Sequence, residues 1–193
     1  MIILCDTSSI LLLLRIAPEM FIDPKFECAT IHEVMKEIIT TTKFKKKYPW
    51  RTEYRVKLHS LPMSQYRTKA YERITGLVSI LLNNGVINGK THKLIYLREE
   101  DQAIAACVIA HGYLMTSGDA NLIAFLRQEF KPEFRGNLTA LEVVNFWLEK
   151  GVLTWNDAKN AFLADWKSQG EVTQPRDAIK KFTKLTGRPY PGS

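Results

Sequence analysis

The sequence predicts an α/β fold: a three-layer α/β/α sandwich with a short, mostly parallel central sheet. Residues 2–5 and 113–116 are short, continuous apolar runs, which is typical of fully buried strands. Helical patterns separate these runs along the chain. Buried strands separated by helices favour a parallel sheet that is covered on both faces. In such sheets, functional sites lie just beyond the carboxyl ends of the strands.

Capping residues and turn signals indicate where the individual elements begin and end. Thr7 or Ser8 can cap the helix after the first strand, and Thr30 with Glu33 has the spacing of a capping box. Gly112 ends a helix whose first turn is acidic. Residues 94–97 fit either a strand or a helix. Strands are predicted at 2–5, 26–29 and 113–116, and helices at 10–16, 30–39, 64–82, 99–111, 122–128, 139–149, 154–168 and 174–185.

The overall composition excludes several classes of protein. Apolar residues make up 46% of the chain and charged residues 24%, as in an ordinary globular domain. The apolar start is interrupted by Asp6 and is far shorter than the roughly 18 residues that a membrane span needs. Three cysteines without a CxxC pair exclude a zinc ribbon and argue against a disulfide framework. We therefore expect a cytoplasmic protein with reduced thiols and no membrane partner.

Positive charge is concentrated in one aromatic-rich segment of this chain, whose net charge is +7. The segment KFKKKYPWRTEYRVK, residues 43–57, holds seven basic side chains, four aromatic ones and one acid, Glu53. Such a mixture suits a phosphate backbone with unstacked bases. The alternative is a solvated loop whose aromatic side chains pack on the core. The predicted RNA contacts are Lys43, Lys45, Lys46, Lys47, Trp50, Arg51 and Arg55.

Several acids have a predicted position near the carboxyl edge of the sheet. Asp6 and Asp119 follow two of the predicted strands, and Asp101 lies in the first turn of a helix. Glu33 and Glu37 share one face of the helix after the second strand. Clustered carboxylates raise one another's pKa, and a bound divalent cation relieves that conflict. An all-oxygen set suits Mg²⁺ or Mn²⁺ rather than zinc.

Each of these acids also has a purely structural interpretation. Asp6 can cap a helix, and Asp101 can favour a helix N-terminus through the macrodipole. Asp119 can form an Asx-turn, and Glu33 can complete the capping box with Thr30. No single acid is therefore decisive, and the functional prediction depends on their shared order and placement.

Four stretches of the chain follow one family's pattern of strands, acids and helices: IILCDTSSIL, ATIHEVMKEI, EEDQAIAACVIAHGYLMTSGDANLI and FRGNLTALEVVNFWLEKGVLTW. In this order they resemble the PIN-domain nucleases, well over residues 1 to 130 and through the family's closing strand and helix beyond. The long interval between Glu37 and Asp101, and Gly118 between Thr116 and Asp119, depart from the family pattern. The resemblance implies a PIN-like domain at 1–150, with a basic-aromatic insertion around 43–62, and a C-terminal helical extension at 151–193.

The resemblance also implies a site and an activity. It selects Glu37 over Glu33, because Glu37 follows Val34 and precedes Ile38 as in the family pattern. The implied activity is hydrolysis of RNA phosphodiester bonds with Mg²⁺ or Mn²⁺ as cofactor. The implied catalytic metal ligands are Asp6, Glu37, Asp101 and Asp119. The implied accessory polar groups are Thr7, Ser8, Thr116 and Asn121.

Biological role and rival functions stay open at this point. Many prokaryotic members of the family are toxins of toxin–antitoxin pairs, which implies an antitoxin partner and a homodimer. The main alternative is a PIN-like module that binds RNA or protein without catalysis. A haloacid-dehalogenase-like phosphatase needs an acid where this chain has Ser8, and a dinucleotide enzyme needs a GxGxxG motif that is absent.

Overall fold

A computed structural model describes residues 1–42, 44, 47–167 and 173–191. It confirms the predicted α/β/α sandwich. The described residues form one parallel four-stranded sheet with the strand order β2-β1-β3-β4. The strands are β1 (Ile3–Cys5), β2 (Cys28–Ala29), β3 (Leu114–Thr116) and β4 (Asn137–Leu138).

The central strand β1 shows that both faces of the sheet are covered. Ile3, Leu4 and Cys5 are all fully buried. Successive side chains of a strand point to opposite faces, so helices must pack on both sides. The described helices are α1 (Thr7–Leu13), α2 (His32–Thr40), α3 (Met63–Tyr66), α4 (Lys69–Asn83), α5 (Glu99–His111), α6 (Ala120–Glu129), α7 (Ala140–Glu149), α8 (Asp157–Ala164) and α9 (Arg176–Thr186).

Two predicted helix starts were wrong. Helix α1 is capped by Asp6, whose carboxylate accepts the Ser9 backbone N–H, and not by Thr7 or Ser8. Helix α2 has no side-chain cap. Thr30 instead donates its hydroxyl to the carbonyl of Cys5, 3.0 Å away in the neighbouring strand β1. This hydrogen bond links two segments 25 residues apart, which local spacing cannot reveal.

The single amphipathic helix predicted from residue 64 is in fact two helices, α3 and α4. The chain leaves the helical conformation after Tyr66, and Thr68 then caps α4 by accepting the backbone N–H of Tyr71. The break rotates the buried face of α4. Tyr71 and Val78 are buried, whereas Leu77, which the predicted stripe included, is exposed. Residues 94–97 form neither a helix nor a regular strand, apart from one antiparallel bridge between Ile87 and Leu94.

Within the described parts of the chain, no helix combines the length and apolar composition that crossing a bilayer requires. The longest is α4, and it carries charged side chains in its first turns.

Gly112 provides a test of local helix termination. It ends α5 with a φ of 60°, in the left-handed region, and a Cβ there would lie 3.3 Å from Nε of Arg135. We expect Gly112→Ala to lower the free energy of unfolding by about 1 kcal/mol. The matched control is Gly76→Ala in the middle of α4, where an added Cβ meets no atom within 4 Å. It should stabilise by up to about 1 kcal/mol, since alanine is the better helix former. Urea denaturation measures both, and shifts of the same sign would contradict this account.

Candidate active site at the carboxyl edge of the sheet

A cavity of about 590 Å³ opens where β1, β3 and β4 end. Three of the four predicted metal ligands, Asp6, Asp101 and Asp119, line it. They come from three different parts of the chain. Asp6 and Asp119 follow β1 and β3, whose carboxyl ends share one edge of the sheet, and Asp101 lies in the first turn of α5.

Asp6 is held in one orientation by three serines. It is 4% exposed. Its carboxylate accepts the backbone N–H of Ser9 at 2.7 Å and the hydroxyls of Ser8 at 2.9 Å and Ser117 at 2.5 Å. Burial raises the pKa of Asp6, although these hydrogen bonds favour the ionised form. A cap alone needs one acceptor contact, so the two added hydroxyl bonds orient the carboxylate beyond what α1 requires.

The loop after β3 supplies one of these serines, Ser117. Ser117 donates to Asp6, and its backbone N–H and carbonyl are both bonded to the side-chain amide of Asn137. The backbone N–H of Gly118 donates to the hydroxyl of Ser8 at 3.3 Å. Sequence reasoning missed Ser117 and Asn137. The signal for Ser117 was present, because a hydroxyl between Thr116 and Asp119 falls at the same strand end.

Asp101 is also electrostatically perturbed, and it is affected by the other acids of the cavity. It is 6% exposed, and its pKa is raised to about 6. Burial is the main cause, the charges of Asp119 and Asp6 raise the pKa further, and the guanidinium of Arg98 acts in the opposite direction. These three carboxylates therefore interact across the cavity.

Glu37 lies at the same site but is engaged by a cation of the protein itself. Its buried carboxylate accepts from the guanidinium of Arg98 and from the hydroxyl of Thr7. The Nε atom of Arg98 also lies 3.4 Å from a carboxylate oxygen of Asp101. Arg98 therefore links two of the predicted ligands. No pattern in the sequence had indicated it, since its partner Glu37 is 61 residues away.

Asp119 has a structural role at the start of a helix and also lines the cavity. Its Oδ1 atom caps α6 by accepting the backbone N–H groups of Asn121 at 2.7 Å and Leu122 at 2.9 Å. Within the described residues, no hydrogen bond reaches its Oδ2 atom. One oxygen thus serves the helix, and the second stays available to a ligand in the cavity.

The predicted accessory groups fall into two pairs. Thr7 and Ser8 line the cavity and bind the acids. Thr116 is fully buried and donates to the hydroxyl of Ser9, while Asn121 contributes its backbone N–H to the cap of α6. Neither Thr116 nor Asn121 lines the cavity.

The basic-aromatic segment reaches the same cavity. Phe44, Lys47 and Tyr48 line its wall, with Phe44 and Tyr48 largely buried and Lys47 exposed. The Lys47 ammonium lies 5.5 Å from the centre of the Tyr48 ring. A cation and two aromatic side chains therefore line the cavity that holds the acids.

The other predicted RNA contacts have varied positions. Arg51 is 5% exposed and donates to the backbone carbonyl of Ile38, so in this conformation it supports α2 and does not face solvent. Trp50 is half-buried and packs edge-on against Tyr48 and Tyr54, and Arg55 is exposed. Lys43, Lys45 and Lys46 lie outside the described residues.

The residues at this edge fit a hard divalent cation in chemistry, but they do not form a complete cage. Within the described chain, no group of three or more His, Cys, Asp or Glu side chains is close enough to hold one metal ion. Mg²⁺ does not require such a cage, because it keeps several waters and takes one or two carboxylates together with substrate phosphates. Asp6, Asp101 and Asp119 supply oxygen donors only. The pKa of Asp101 is raised mainly by burial and further by the charges of Asp119 and Asp6, and a cation would relieve that repulsion.

Comparisons of the chain with protein-family models, with curated proteins and with solved structures found no match. The resemblance to PIN-domain nucleases therefore stays a prediction from the sequence. A function has to be argued from the cavity and the side chains around it.

Proposed function

We propose that this protein is a Mg²⁺- or Mn²⁺-dependent nuclease that hydrolyses phosphodiester bonds in RNA. The observation that carries the proposal is the meeting of Asp6, Asp101 and Asp119 in one cavity, with the pKa of Asp101 raised to about 6. Bringing carboxylates together in a buried place is costly for folding, and strongly perturbed acids cluster at functional sites.

The cavity wall supports RNA as the substrate. Lys47 provides an exposed positive charge in the wall, and the largely buried rings of Phe44 and Tyr48 line the cavity beside it. Unstacked bases of single-stranded RNA bind aromatic side chains, whereas paired bases in a duplex are not accessible in this way. A single-stranded or looped RNA is therefore the favoured substrate.

The roles of the side chains follow from their contacts. Asp6, oriented by Ser8 and Ser117, would hold the cation together with one further carboxylate of the cavity, that of Asp101 or Asp119, and with substrate phosphates. When bound, a divalent cation activates water and stabilises the negative charge that develops on the phosphoryl group. Because the serines hold Asp6 in a single orientation, its position needs no rearrangement before the ion binds.

One observation favours the alternative, a PIN-like module that binds RNA or protein without catalysis. Arg98 already pairs with both Glu37 and Asp101, so part of the negative charge is neutralised by the protein itself. A toxin role, an antitoxin partner and a homodimer stay predictions of the family resemblance.

The test is cleavage of a labelled, unstructured RNA in Mn²⁺ and in EDTA. The proteins compared are the wild type, the double variant Asp6→Asn/Asp101→Asn and the control Glu72→Gln. Glu72 is an exposed acid on α4, away from the cavity. We expect cleavage that requires Mn²⁺, that is lost in the double variant and that the control retains.

Two outcomes of this experiment would contradict the proposed nuclease activity. Wild-type protein that binds the RNA but never cuts it, with unchanged binding in the double variant, would favour the non-catalytic module. Cleavage that persists in EDTA and in the double variant would come from a contaminant or from another site, and the assignment of these acids would be wrong.

A further inference from the structure

The C-terminal residues, which had no counterpart in the family resemblance, reach the candidate active site. Gln174 lines the cavity and accepts the backbone N–H of Leu141 at 3.1 Å, so it satisfies one of the free N–H groups at the start of α7. Arg176, the first residue of α9, is two residues further on and therefore within about 7 Å along the chain. Helix α9 begins at the rim of the cavity.

Helices α7 and α9 run side by side in the same direction, away from the cavity. Gln174 bonds to Leu141, and four residues later Ala178 accepts the side-chain amide of Asn145 at 2.8 Å. Further along, Lys181 pairs with Glu149 at 2.7 Å. The contacts advance along both helices together, which only a parallel arrangement allows.

One face of α9 is apolar and already covered. Ala178 and Phe182 are buried, and the ring of Phe182 packs edge-on against Trp155 with centroids 4.9 Å apart. This covered face leaves the opposite side of the helix to solvent. A basic helix that lies on a membrane needs a free apolar face to insert, whereas Leu185 is the single large apolar side chain that the described helix α9 exposes.

The solvent side of α9 carries a row of cations, which we call the basic stripe: Arg176, Lys180 and Lys184. These residues are spaced four apart, so they lie above one another on one face, about 6 Å from each to the next. All three are exposed. Among the described residues, no carboxylate lies within 4 Å of any of them, including that of Asp177 beside the stripe. By contrast, Lys181 on the flank of the helix is paired.

We infer that the basic stripe binds the phosphate backbone of a single-stranded RNA as the strand leaves the cavity. An unpaired row of cations that begins at the rim of an acidic site matches a polyanion whose next phosphates lie outside that site. The regular spacing lets an extended strand contact the three cations in turn. The choice of RNA rests on the proposed function, whereas the stripe itself is a property of α9.

The test is the salt dependence of RNA binding in EDTA, where the proposed cleavage cannot occur. The variant Arg176→Gln/Lys180→Gln/Lys184→Gln is compared with Lys69→Gln/Arg73→Gln/Lys93→Gln, which removes one arginine and two lysines from exposed positions elsewhere. The probe is labelled oligouridine. Three lost phosphate contacts should reduce the slope of log K against log salt by about 2, since each contributes about 0.7 for a single strand. Affinity at moderate salt should fall about tenfold, and the control should change it by about twofold or less.

The outcomes separate this inference from the proposed nuclease activity. Equal slopes in the two triple variants, or no binding of oligouridine by the wild type, would overturn the stripe whether or not the protein cuts RNA. A slope change in the stripe variant alone would support it, even if no cleavage is ever found. Vesicles containing phosphatidylserine serve as a second probe. Vesicle binding that depends on the stripe, with RNA binding that does not, would assign the stripe to a membrane surface and overturn the inference.

Discussion

Asp101→Asn is expected to stabilise the folded protein at neutral pH and to abolish the proposed RNA cleavage. The pKa of Asp101 is about 6 in the folded protein, because of burial and of the neighbouring charges of Asp119 and Asp6. In the unfolded chain the carboxyl returns to its ordinary value near 4. The folded state therefore binds the proton more tightly, and stability falls as the pH rises from about 4 to about 6.

Because the destabilising effect of Asp101 appears only as the pH rises, the variant is compared with the wild type at two pH values. Above about pH 6 the folded protein bears the full cost of ionising Asp101, and below about pH 4 it bears none. Asparagine cannot ionise, so the variant should gain about 1 kcal/mol near pH 7 and nothing near pH 4. The two-unit shift, which already includes the attraction of Arg98, allows about 3 kcal/mol. We expect a smaller gain because the amide N–H groups of the new asparagine are buried and lose hydrogen bonds to water.

Urea denaturation in EDTA at the two pH values measures the gain. The control is Glu99→Gln, which removes an exposed acid from the same first turn of α5. It should lower stability slightly near pH 7, since an acid near a helix N-terminus is favourable, and should not reproduce the gain of Asp101→Asn. If Asp101→Asn lost stability at neutral pH, the acid would be serving the fold and not a ligand.

Arg98→Gln is expected to lower the free energy of unfolding by about 2 kcal/mol in EDTA and to make stability depend on Mn²⁺. Glu37 has a side chain that is 3% exposed, and Arg98 is its charged partner. Removing the guanidinium would leave a buried carboxylate with only the hydroxyl of Thr7 as a described side-chain donor. Breaking buried pairs is strongly destabilising, but the guanidinium here is 43% exposed, so we expect the lower part of the range.

The response to Mn²⁺ then tests whether Glu37 is a ligand. Mn²⁺ should restore much of the melting temperature of Arg98→Gln by replacing the missing positive charge. The double variant Arg98→Gln/Glu37→Gln carries no buried charge at this position. It should therefore be more stable than Arg98→Gln in EDTA and respond less to Mn²⁺. An equal change in melting temperature of the two variants on adding Mn²⁺ would leave Arg98 as the permanent partner of Glu37 and favour the non-catalytic module.

A second arginine–glutamate pair offers the matched control. Arg67 lies 2.5 Å from Glu33, and the arginine side chain is 46% exposed, much like that of Arg98. The carboxylate of Glu33 is 21% exposed, however, and also accepts from the hydroxyl of Tyr66. We expect Arg67→Gln to cost less than about 1 kcal/mol and to show no response to Mn²⁺.

Local sequence signals were sufficient for most of the secondary structure. The apolar runs before Asp6 and before Ser117 are strands because short β-branched and aliphatic runs can be buried on both faces of a sheet. The acidic first turn and Gly112 delimit α5, and Thr139 with Glu142 forms a complete capping box for α7. In each case the residues that determine the element lie within a few positions of one another.

The placement of three acids at one edge also follows from the sequence. Asp6 and Asp119 were predicted there because parallel strands end at the same edge, and both in fact cap helices as well. The two interpretations are compatible, since Asp119 caps α6 with Oδ1 alone, and Asp6 lines the cavity although it also caps α1. Choosing between a cap and a functional acid was therefore not required.

Only the tertiary structure determines the hydrogen-bond and ion-pair partners that come from distant parts of the chain. Thr30 bonds to β1 and does not cap α2, Arg98 pairs with Glu37 across 61 residues, and Arg51 is buried under α2. Gln174 brings the C-terminal helix to the cavity in the same way. Sequence by itself determined the elements and the edge on which the acids meet, because those depend on periodicity, capping and strand direction. Which polar side chains pair with those acids, and which distant segments reach the cavity, depends on how the elements pack. The spacing of residues along the chain does not predict such contacts.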